Sequence, residues 1–300
     1  MRSFRLFWVV HPWRRGHTGG KRRGKPGVGG GESALRWGLR ENFIALTIAG
    51  SDPGGGAGIQ ADLKTFHQFG VYGTSVVTLV TVQNTVRMSR VETLDAGLVG
   101  EQFDAVLEDL APHAIKTGAL GTAAIIEAVA ARQFAGALVV DPVTMGKHGL
   151  ALMDVAAREA MRRLLLPRAA LVTPNLDEAG EMAGIPVHDA ESMQEAARRI
   201  AGMGAGAVLV KGGHLTGSGD ALDILWEDGA FTEFRMPRVE SRHTHGTGCV
   251  YSAAITAGLA RGLSVVEAVG QAKGFVHAAI LSAPGIGGGA GPLGLWAKTT

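Results

Sequence analysis

The run Thr244-His245-Gly246-Thr247-Gly248-Cys249 combines the residue types of an anion-binding loop. Its two glycines allow a tight turn in which successive backbone N–H groups point inward. The small residues that follow, 250–259, indicate a helix whose positive dipole end would lie behind those N–H groups. Phosphoryl transfer depends mostly on positioning and on stabilising charge, so this loop is suited to hold a phosphoryl group during transfer. The structural alternative is a helix that simply starts close to a strand.

A second glycine-rich run, Asp52-Pro53-Gly54-Gly55-Gly56-Ala57-Gly58, follows an apolar strand pattern and precedes a helical one. A dinucleotide-binding fingerprint would need an acidic residue about twenty positions later, but residues 63–91 contain neither Asp nor Glu. The run also lacks the Lys-Ser or Lys-Thr pair of a phosphate-binding P-loop. We therefore expect it to bind a small polar molecule through its backbone and the Asp52 carboxylate, or to be only a tight turn.

Several polar residues lie just after predicted strands, where ligands bind in parallel α/β sheets. Asn175 and Glu178 have the spacing of a helix capping box, and together with Asp141 they are suited to organise hydrated Mg²⁺. Lys211 precedes two glycines, so its ammonium group can reach nucleotide phosphates with no side chain in the way. The loop histidines lack the i, i+4 spacing of a zinc pair, which argues against a zinc enzyme.

From residue 43 onward, short β-branched runs alternate with segments whose apolar residues have helical spacing. The predicted strands are Phe43–Ala49, Ser75–Val82, Ala114–Lys116, Ala137–Val140, Ala170–Val172 and Ala207–Val210. The predicted helices are Ile59–Phe69, Leu98–Leu110, Ala123–Phe134, Val155–Leu166, Glu191–Met203, Cys249–Ala260 and Val265–Leu281. An Asp228-Gly229 turn predicts an antiparallel hairpin. This order predicts an α/β fold whose mostly parallel central sheet is flanked by helices on both faces.

The composition bounds the class of protein and its compartment. The 300 residues are 46% hydrophobic, enough for one sizeable core, and no apolar stretch has the length of a membrane span. The single cysteine, Cys249, excludes an internal disulfide framework and a cysteine zinc cluster. We therefore expect a cytoplasmic protein that does not associate with a membrane.

Residues 1–40 differ in composition from the rest, with ten Lys or Arg residues and one acidic residue, Glu32. Because the whole chain has a formal net charge of only +2, the remaining residues are net acidic. We predict a disordered, basic Gly/Arg-rich extension over residues 1–40 and one domain over residues 41–300. Nucleic-acid binding by the extension is an alternative, but the acidic domain offers no such surface, and we expect no nucleic-acid partner.

Taken together, these motifs resemble those of the hydroxymethylpyrimidine/phosphomethylpyrimidine kinases of thiamine biosynthesis, which belong to the ribokinase-like superfamily. The resemblance covers about residues 43–293. It is carried by the runs 45–62, Gln83-Asn84-Thr85, 173–179, Lys211-Gly212-Gly213-His214 and 245–249. It implies a three-layer α/β/α ribokinase-like fold, ATP and Mg²⁺ as cofactors, and a homodimer. It also implies phosphorylation of the pyrimidine alcohol and then of its monophosphate.

The resemblance further implies roles for individual residues. The pyrimidine would contact Gly50, Asp52, Ala57, Gln83, Ala119 and Val143. The Gln83 amide, which donates and accepts, would pair with the aminopyrimidine edge. The ATP phosphates would lie on Lys211, Asn175 and the hole formed by Gly246, Thr247 and Gly248, with Mg²⁺ organised by Asp141, Asn175 and Glu178.

Cys249 stands where the superfamily usually has an aspartate base. A thiol at a helix N-terminus is expected to have a lowered pKa, so Cys249 would accept the proton of the alcohol. The alternative is that Cys249 only packs and that a loose transition state needs little base.

One departure from the family pattern concerns the substrate. Ala119 stands where the family commonly has methionine, so we expect a roomier pyrimidine pocket unless Met145 fills the space. The nearest alternative is another alcohol kinase of the superfamily, such as one that acts on pyridoxal. An alternative from a different class is a non-catalytic pyrimidine-binding protein, which the phosphate-binding residues Lys211, Asn175 and Glu178 argue against.

Overall fold

The computed structural model describes residues 42–146, 149–213, 215 and 219–297. The strands are β1 (Ile44–Ser51), β2 (Tyr72–Gln83), β3 (Met88–Thr93), β4 (Ala114–Thr117), β5 (Ala137–Val140), β6 (Leu171–Val172), β7 (Ala207–Gly212), β8 (Asp220–Glu227) and β9 (Ala230–Pro237). The helices are α1 (Gly58–Gln68), α2 (Ala96–Asp109), α3 (Ala123–Ala130), α4 (Val155–Leu164), α5 (Leu176–Ala183), α6 (Ala190–Ala201), α7 (Thr247–Ala260) and α8 (Val265–Leu281). The extension predicted over residues 1–40 lies outside the described residues.

All nine strands form one mixed sheet in the order β3-β2-β1-β4-β5-β6-β7-β8-β9. Six strands that are neighbours in this order pair in parallel, as predicted from the alternation of strands and helices. They are β2, β1, β4, β5, β6 and β7. The pairs β2–β3, β7–β8 and β8–β9 are antiparallel. The carboxyl ends of the parallel strands therefore meet along one edge, where the polar residues singled out from the sequence follow their strands.

Helices cover both faces of the sheet, which confirms the three-layer α/β/α prediction. On one face α2, α3, α4, α5 and α6 bury their apolar sides against Leu46, Ile48, Ile115 and Val140. On the other face α1, α7 and α8 pack against the opposite side of the same strands. Among the described helices, none combines the length and the apolar content needed to cross a lipid bilayer.

The structure differs from the sequence-based prediction at two elements. Strand β3 was not predicted because its residues are mostly polar and exposed, as befits an edge strand that buries little apolar surface. The helix predicted to continue to Phe134 ends at Ala130. Just after this end, the Arg132 guanidinium donates hydrogen bonds to the Ala128 carbonyl of the last helical turn and to the Asp104 carboxylate. The hairpin was predicted correctly, with Asp228 and Gly229 both at positive φ.

Candidate active site

One cavity of about 570 Å³ lies at the carboxyl edge of the sheet. Its lining includes the residues assigned from the sequence to the pyrimidine, namely Gly50, Asp52, Ala57, Gln83, Ala119 and Val143. It also includes those assigned to phosphate, metal and proton transfer, namely Asp141, Asn175, Glu178, Lys211, Gly246, Thr247, Gly248 and Cys249. The topology thus gathers these residues in one place although they are spread over two hundred positions of the chain.

Two of the helices that begin at this cavity, α1 and α7, differ from the other described helices at their first turn. In the described part of the chain, six helices have an N-cap side chain that accepts a backbone N–H from the first turn. These N-cap residues are Asp95, Thr122, Asp154, Asn175, Asp189 and Ser264. Helices α1 and α7 have no such cap. Because the first N–H groups of a helix otherwise remain unpaired and lie at its positive end, these two N-termini are suited to an anion.

Gly246 places the start of α7 directly against the Asp52–Gly58 loop. It has φ 80°, a left-handed conformation that favours glycine. A Cβ at this position would overlap the carbonyl oxygen of Gly56. The two glycine-rich runs found in the sequence therefore meet through their backbones, and only glycine permits that approach.

The Asp52 carboxylate holds the two loops together. It accepts backbone N–H groups from Gly54, Gly56 and Ala57, and His245 Nε2 lies 2.9 Å from its Oδ2. Although burial acts to raise it, these hydrogen bonds keep the pKa of Asp52 below its usual value. Asp52 lines the cavity as expected, and its hydrogen bonds also hold the Asp52–Gly58 loop in place.

Lys211 is a buried cation beside the uncapped N-terminus of α7. Its Nζ donates to Asp141 Oδ1 at 3.0 Å, and a Cβ on Gly248 would lie 3.4 Å from it. Burial alone would lower the pKa of Lys211, but the Asp141 and Glu178 carboxylates raise it above its usual value. Lys211 therefore carries its charge at neutral pH, next to the N–H groups suited to phosphate.

Asn175 and Glu178 form the capping box that their spacing predicts. The Glu178 N–H donates to Asn175 Oδ1 at 2.9 Å, and the Asn175 N–H donates to Glu178 Oε2 at 2.8 Å. Burial raises the pKa of Glu178 to about 7, with Lys211 acting against the rise and Asp141 adding to it. Two buried carboxylates, those of Asp141 and Glu178, thus repel each other at the cavity wall.

Gln83 lines the cavity at the end of β2, several strands away from Lys211 on β7. Its Oε1 is buried and has no hydrogen-bond partner among the described residues. A buried polar atom without a partner costs free energy, so this acceptor is suited to a donor that a ligand brings. Ala119 and Val143 line the cavity as well. Met145 also lines it but is 53% exposed.

The lowered pKa expected for Cys249 is wrong. Burial raises the pKa of the thiol to about 11, and the carboxylates of Asp62 and Asp141 add to the rise. The Lys116 ammonium and the Gly58 N–H act in the opposite direction but do not outweigh burial. The sequence shows the helix N-terminus but not the protein atoms and the two carboxylates that surround the thiol, which decide the direction of the pKa shift.

Sequence analysis missed the buried ion pairs around the cavity. Lys116 pairs with Asp62, and Lys273 pairs with Asp223, all buried and all lining the cavity. His245 was considered as part of the anion-binding loop and as a metal ligand, but its hydrogen bond to Asp52 was not predicted. A charged residue inside an apolar strand pattern, such as Lys116 in β4, is the one signal that the sequence offers for such pairs.

Comparison with known proteins agrees with this geometry. A protein-family model described as phosphomethylpyrimidine kinase matches residues 52–294. The hydroxymethylpyrimidine/phosphomethylpyrimidine kinase of Rhizobium meliloti is 48% identical over 255 residues, which are 83% of this chain and 96% of that protein. The thiamine biosynthesis bifunctional protein ThiED of Geobacter sulfurreducens is 45% identical over 274 residues, which are 89% of this chain. The chain spans 56% of the length of ThiED.

Solved structures share the fold. The pyridoxal kinase of Staphylococcus aureus in complex with ADP superposes with a TM-score of 0.78 at 38% sequence identity, covering 85% of this chain and 94% of that one. That structure supports the ribokinase-like architecture and the use of an adenine nucleotide by a protein of this shape. On the family match and on the identity of these relatives, the chain belongs to the phosphomethylpyrimidine kinase family.

Proposed function

We propose that this protein transfers the γ-phosphoryl group of ATP to the hydroxyl of 4-amino-5-hydroxymethyl-2-methylpyrimidine and then to the resulting monophosphate. The observation that carries the proposal is the uncapped N-terminus of α7 beside Lys211, in the cavity that also holds the buried, unpaired Oε1 of Gln83. The first two features suit a phosphoryl group, and the third suits an aminopyrimidine. Relatives named for this activity support the same assignment.

In the proposed reaction the alcohol oxygen forms a bond to the γ-phosphorus, and the bond from that phosphorus to the β–γ bridging oxygen breaks. The backbone N–H groups of Gly248 and Cys249, in the first turn of α7 where no side chain caps the helix, would receive the charge of the transferring group. Lys211 would neutralise the phosphate oxygens, because its ammonium group is charged and buried next to Gly248. The proton of the alcohol would pass to the Cys249 thiolate.

We propose that Mg²⁺ binds at Asp141 and Glu178. Their mutual repulsion at the cavity wall fits a divalent cation, and Asn175 fixes Glu178 through the capping box. No group of three or more metal-ligating side chains occurs in the described residues. This agrees with a hydrated Mg²⁺ that arrives with the nucleotide and takes its other ligands from phosphate and water. When bound, the ion would offset the charge of the phosphates.

We also propose a homodimer located in the cytoplasm. Val80 and Val82 lie on β2, next to the edge strand β3, and are 42% and 53% exposed. Apolar side chains at an exposed sheet edge favour contact with a second copy, and the family resemblance implies one. The mass of the protein in solution, measured by sedimentation, separates monomer from dimer.

The single cysteine of the chain fits the reducing environment of the cytoplasm.

A pyridoxal-type kinase is the second candidate, because the superposed S. aureus structure is named a pyridoxal kinase and Ala119 widens the pyrimidine end of the cavity. A direct assay separates the two. With Mg²⁺-ATP and each alcohol in turn, we expect the protein to convert hydroxymethylpyrimidine to a monophosphate and a diphosphate, as identified by mass, with a higher kcat/KM than for pyridoxal. Conversion of pyridoxal alone would overturn the assignment, and no conversion of either would favour a binding protein.

Gln83→Ala tests the pyrimidine end of the cavity. We expect this variant to weaken pyrimidine binding by about 1–3 kcal/mol, because the ligand loses a buried hydrogen-bond partner, while ATP binding stays the same. Calorimetric titration of each ligand measures both values. Gln102→Ala is the matched control, since that amide bonds to the Val77 backbone away from the cavity. Equal losses for both ligands would place Gln83 outside the pyrimidine site.

The pH dependence of turnover tests Cys249 as the base. With a thiol pKa of about 11, the ionised fraction is small at pH 7 and rises about tenfold per pH unit up to that value. We therefore expect Cys249→Ala to lower turnover about 10²-fold at pH 7, the low end for a general base. The ratio of the turnover of the unmodified protein to that of Cys249→Ala should increase as the pH rises to about 9.

Cys249→Ser should behave like Cys249→Ala, because a hydroxyl does not ionise in this range. Turnover of the serine variant close to that of the unmodified protein, at a ratio that does not change with pH, would show that the thiol is not the base.

A further inference from the structure

A fully buried ion pair lies beneath the cavity and has no part in the phosphoryl transfer described above. Lys116 Nζ donates to Asp62 Oδ1 at 2.8 Å, and both side chains are 0% exposed. Thr47 Oγ1 donates to Asp62 Oδ2 at 2.6 Å. Removing two charges from water carries a desolvation penalty that such a pair often only balances, so stability is a weak reason for its presence.

The packing of α7 against β4 brings Lys116 close to Cys249. Ala114 and Lys116 lie two residues apart on β4 and therefore face the same side of the sheet. On that side Ala114 belongs to the same packed cluster as Ala253 and Ala257 of α7. Cys249 lies one helical turn before Ala253, and Lys116 lies one pleat beyond Ala114 toward the carboxyl edge. One turn and one pleat each advance about 5–7 Å, and both side chains line the cavity.

The charged groups around the Cys249 thiol come from four elements: Asp62 on α1, Lys116 on β4, Asp141 on β5 and Lys211 on β7. Asp141 is already paired with Lys211. The Gly58 N–H, at the uncapped start of α1, also points at the thiol. Although burial acts to lower it, the pKa of Lys116 lies above its usual value because of Asp62, Cys249 and Asp141. Lys116 therefore remains a cation beside the sulfur.

We propose that the Asp62–Lys116 pair controls the ionisation of Cys249. The Lys116 ammonium stabilises the thiolate, and Asp62 fixes that ammonium in place while offsetting part of its charge. Both are positioning residues, since neither needs to touch the substrate. The inference deepens the proposed function, because it identifies what sets the strength of the base at the same site.

Alkylation of the thiol by iodoacetamide tests the proposal without kinase turnover. The thiolate sulfur forms a bond to carbon and iodide leaves, so the rate below the thiol pKa follows the ionised fraction. Because Cys249 is the only cysteine, labelling of the full chain reports this one group. At pH 8 we expect Asp62→Asn to label about tenfold faster than the unmodified protein, and Lys116→Met about tenfold slower, which corresponds to one pKa unit in each direction.

Changes of the labelling rate in opposite directions for Asp62→Asn and Lys116→Met distinguish this positioning role from a purely structural one. Loss of structure would change both variants in the same direction by changing access to the thiol. Lys116→Arg should label at a rate close to that of the unmodified protein, because it keeps the charge. Asp104→Asn is the matched control, since it breaks an ion pair with Arg132 outside the cavity. Labelling in denaturant should be equal for all variants.

If Lys116→Met does not fold, the double variant Asp62→Asn/Lys116→Met carries the test. It leaves no unpaired charge and should label more slowly than the unmodified protein, because Lys116 acts on the thiol more strongly than Asp62 does. Rates that change in the same direction for Asp62→Asn and Lys116→Met, or by less than about twofold, would overturn the proposal. Normal phosphorylation with unchanged labelling would refute this inference alone, whereas the expected labelling without phosphorylation would refute only the proposed function.

Discussion

The contact between Gly246 and Gly56 is the constraint on which the rest of the site depends. The chain can enter α7 so close to the first glycine loop only because Gly246 has no Cβ and adopts a left-handed conformation. Because the N-cap of α7 is Gly246, no side chain caps the first turn of this helix, which lines the cavity through Thr247, Gly248 and Cys249. The Asp52–Gly58 loop and the first turn of α7 therefore form one connected unit, held together by the hydrogen bonds of the Asp52 carboxylate to the loop and to His245.

Charge alternates around this unit. Three ion pairs with little exposure to water line the cavity, Lys116 with Asp62, Lys273 with Asp223 and Lys211 with Asp141, and the last of these lies next to Glu178. Each pair loses hydration on folding, and such losses are often only balanced by attraction within the pair. Their common position at the carboxyl edge of the sheet indicates that they serve the chemistry of the site. They hold charged groups in fixed positions next to the places proposed for the nucleotide phosphates and for the Cys249 thiol.

Local sequence patterns predicted most of the fold, and the topology explains why the site could be predicted as well. Strands such as β5 carry β-branched runs, and the parallel order brings their carboxyl ends to one edge, so Asp141 and Lys211 were expected together. Strand β3 escaped prediction because an exposed edge needs no apolar pattern. The thiol pKa of Cys249 and the Lys116–Asp62 pair depend on burial by distant segments, which a sequence pattern does not record.

The most direct test of this dependence is the turnover of Gly246→Ala compared with that of Gly262→Ala. Both glycines have positive φ, so both variants carry the same backbone strain, but a Cβ on Gly262 meets open space whereas one on Gly246 overlaps Gly56. We expect Gly262→Ala to retain its turnover of hydroxymethylpyrimidine with Mg²⁺-ATP. Gly246→Ala, confirmed as folded by its melting temperature, should lose about 10²-fold or more, as when an oxyanion-hole donor is displaced. Equal turnover of the two folded variants would contradict the central role of this contact.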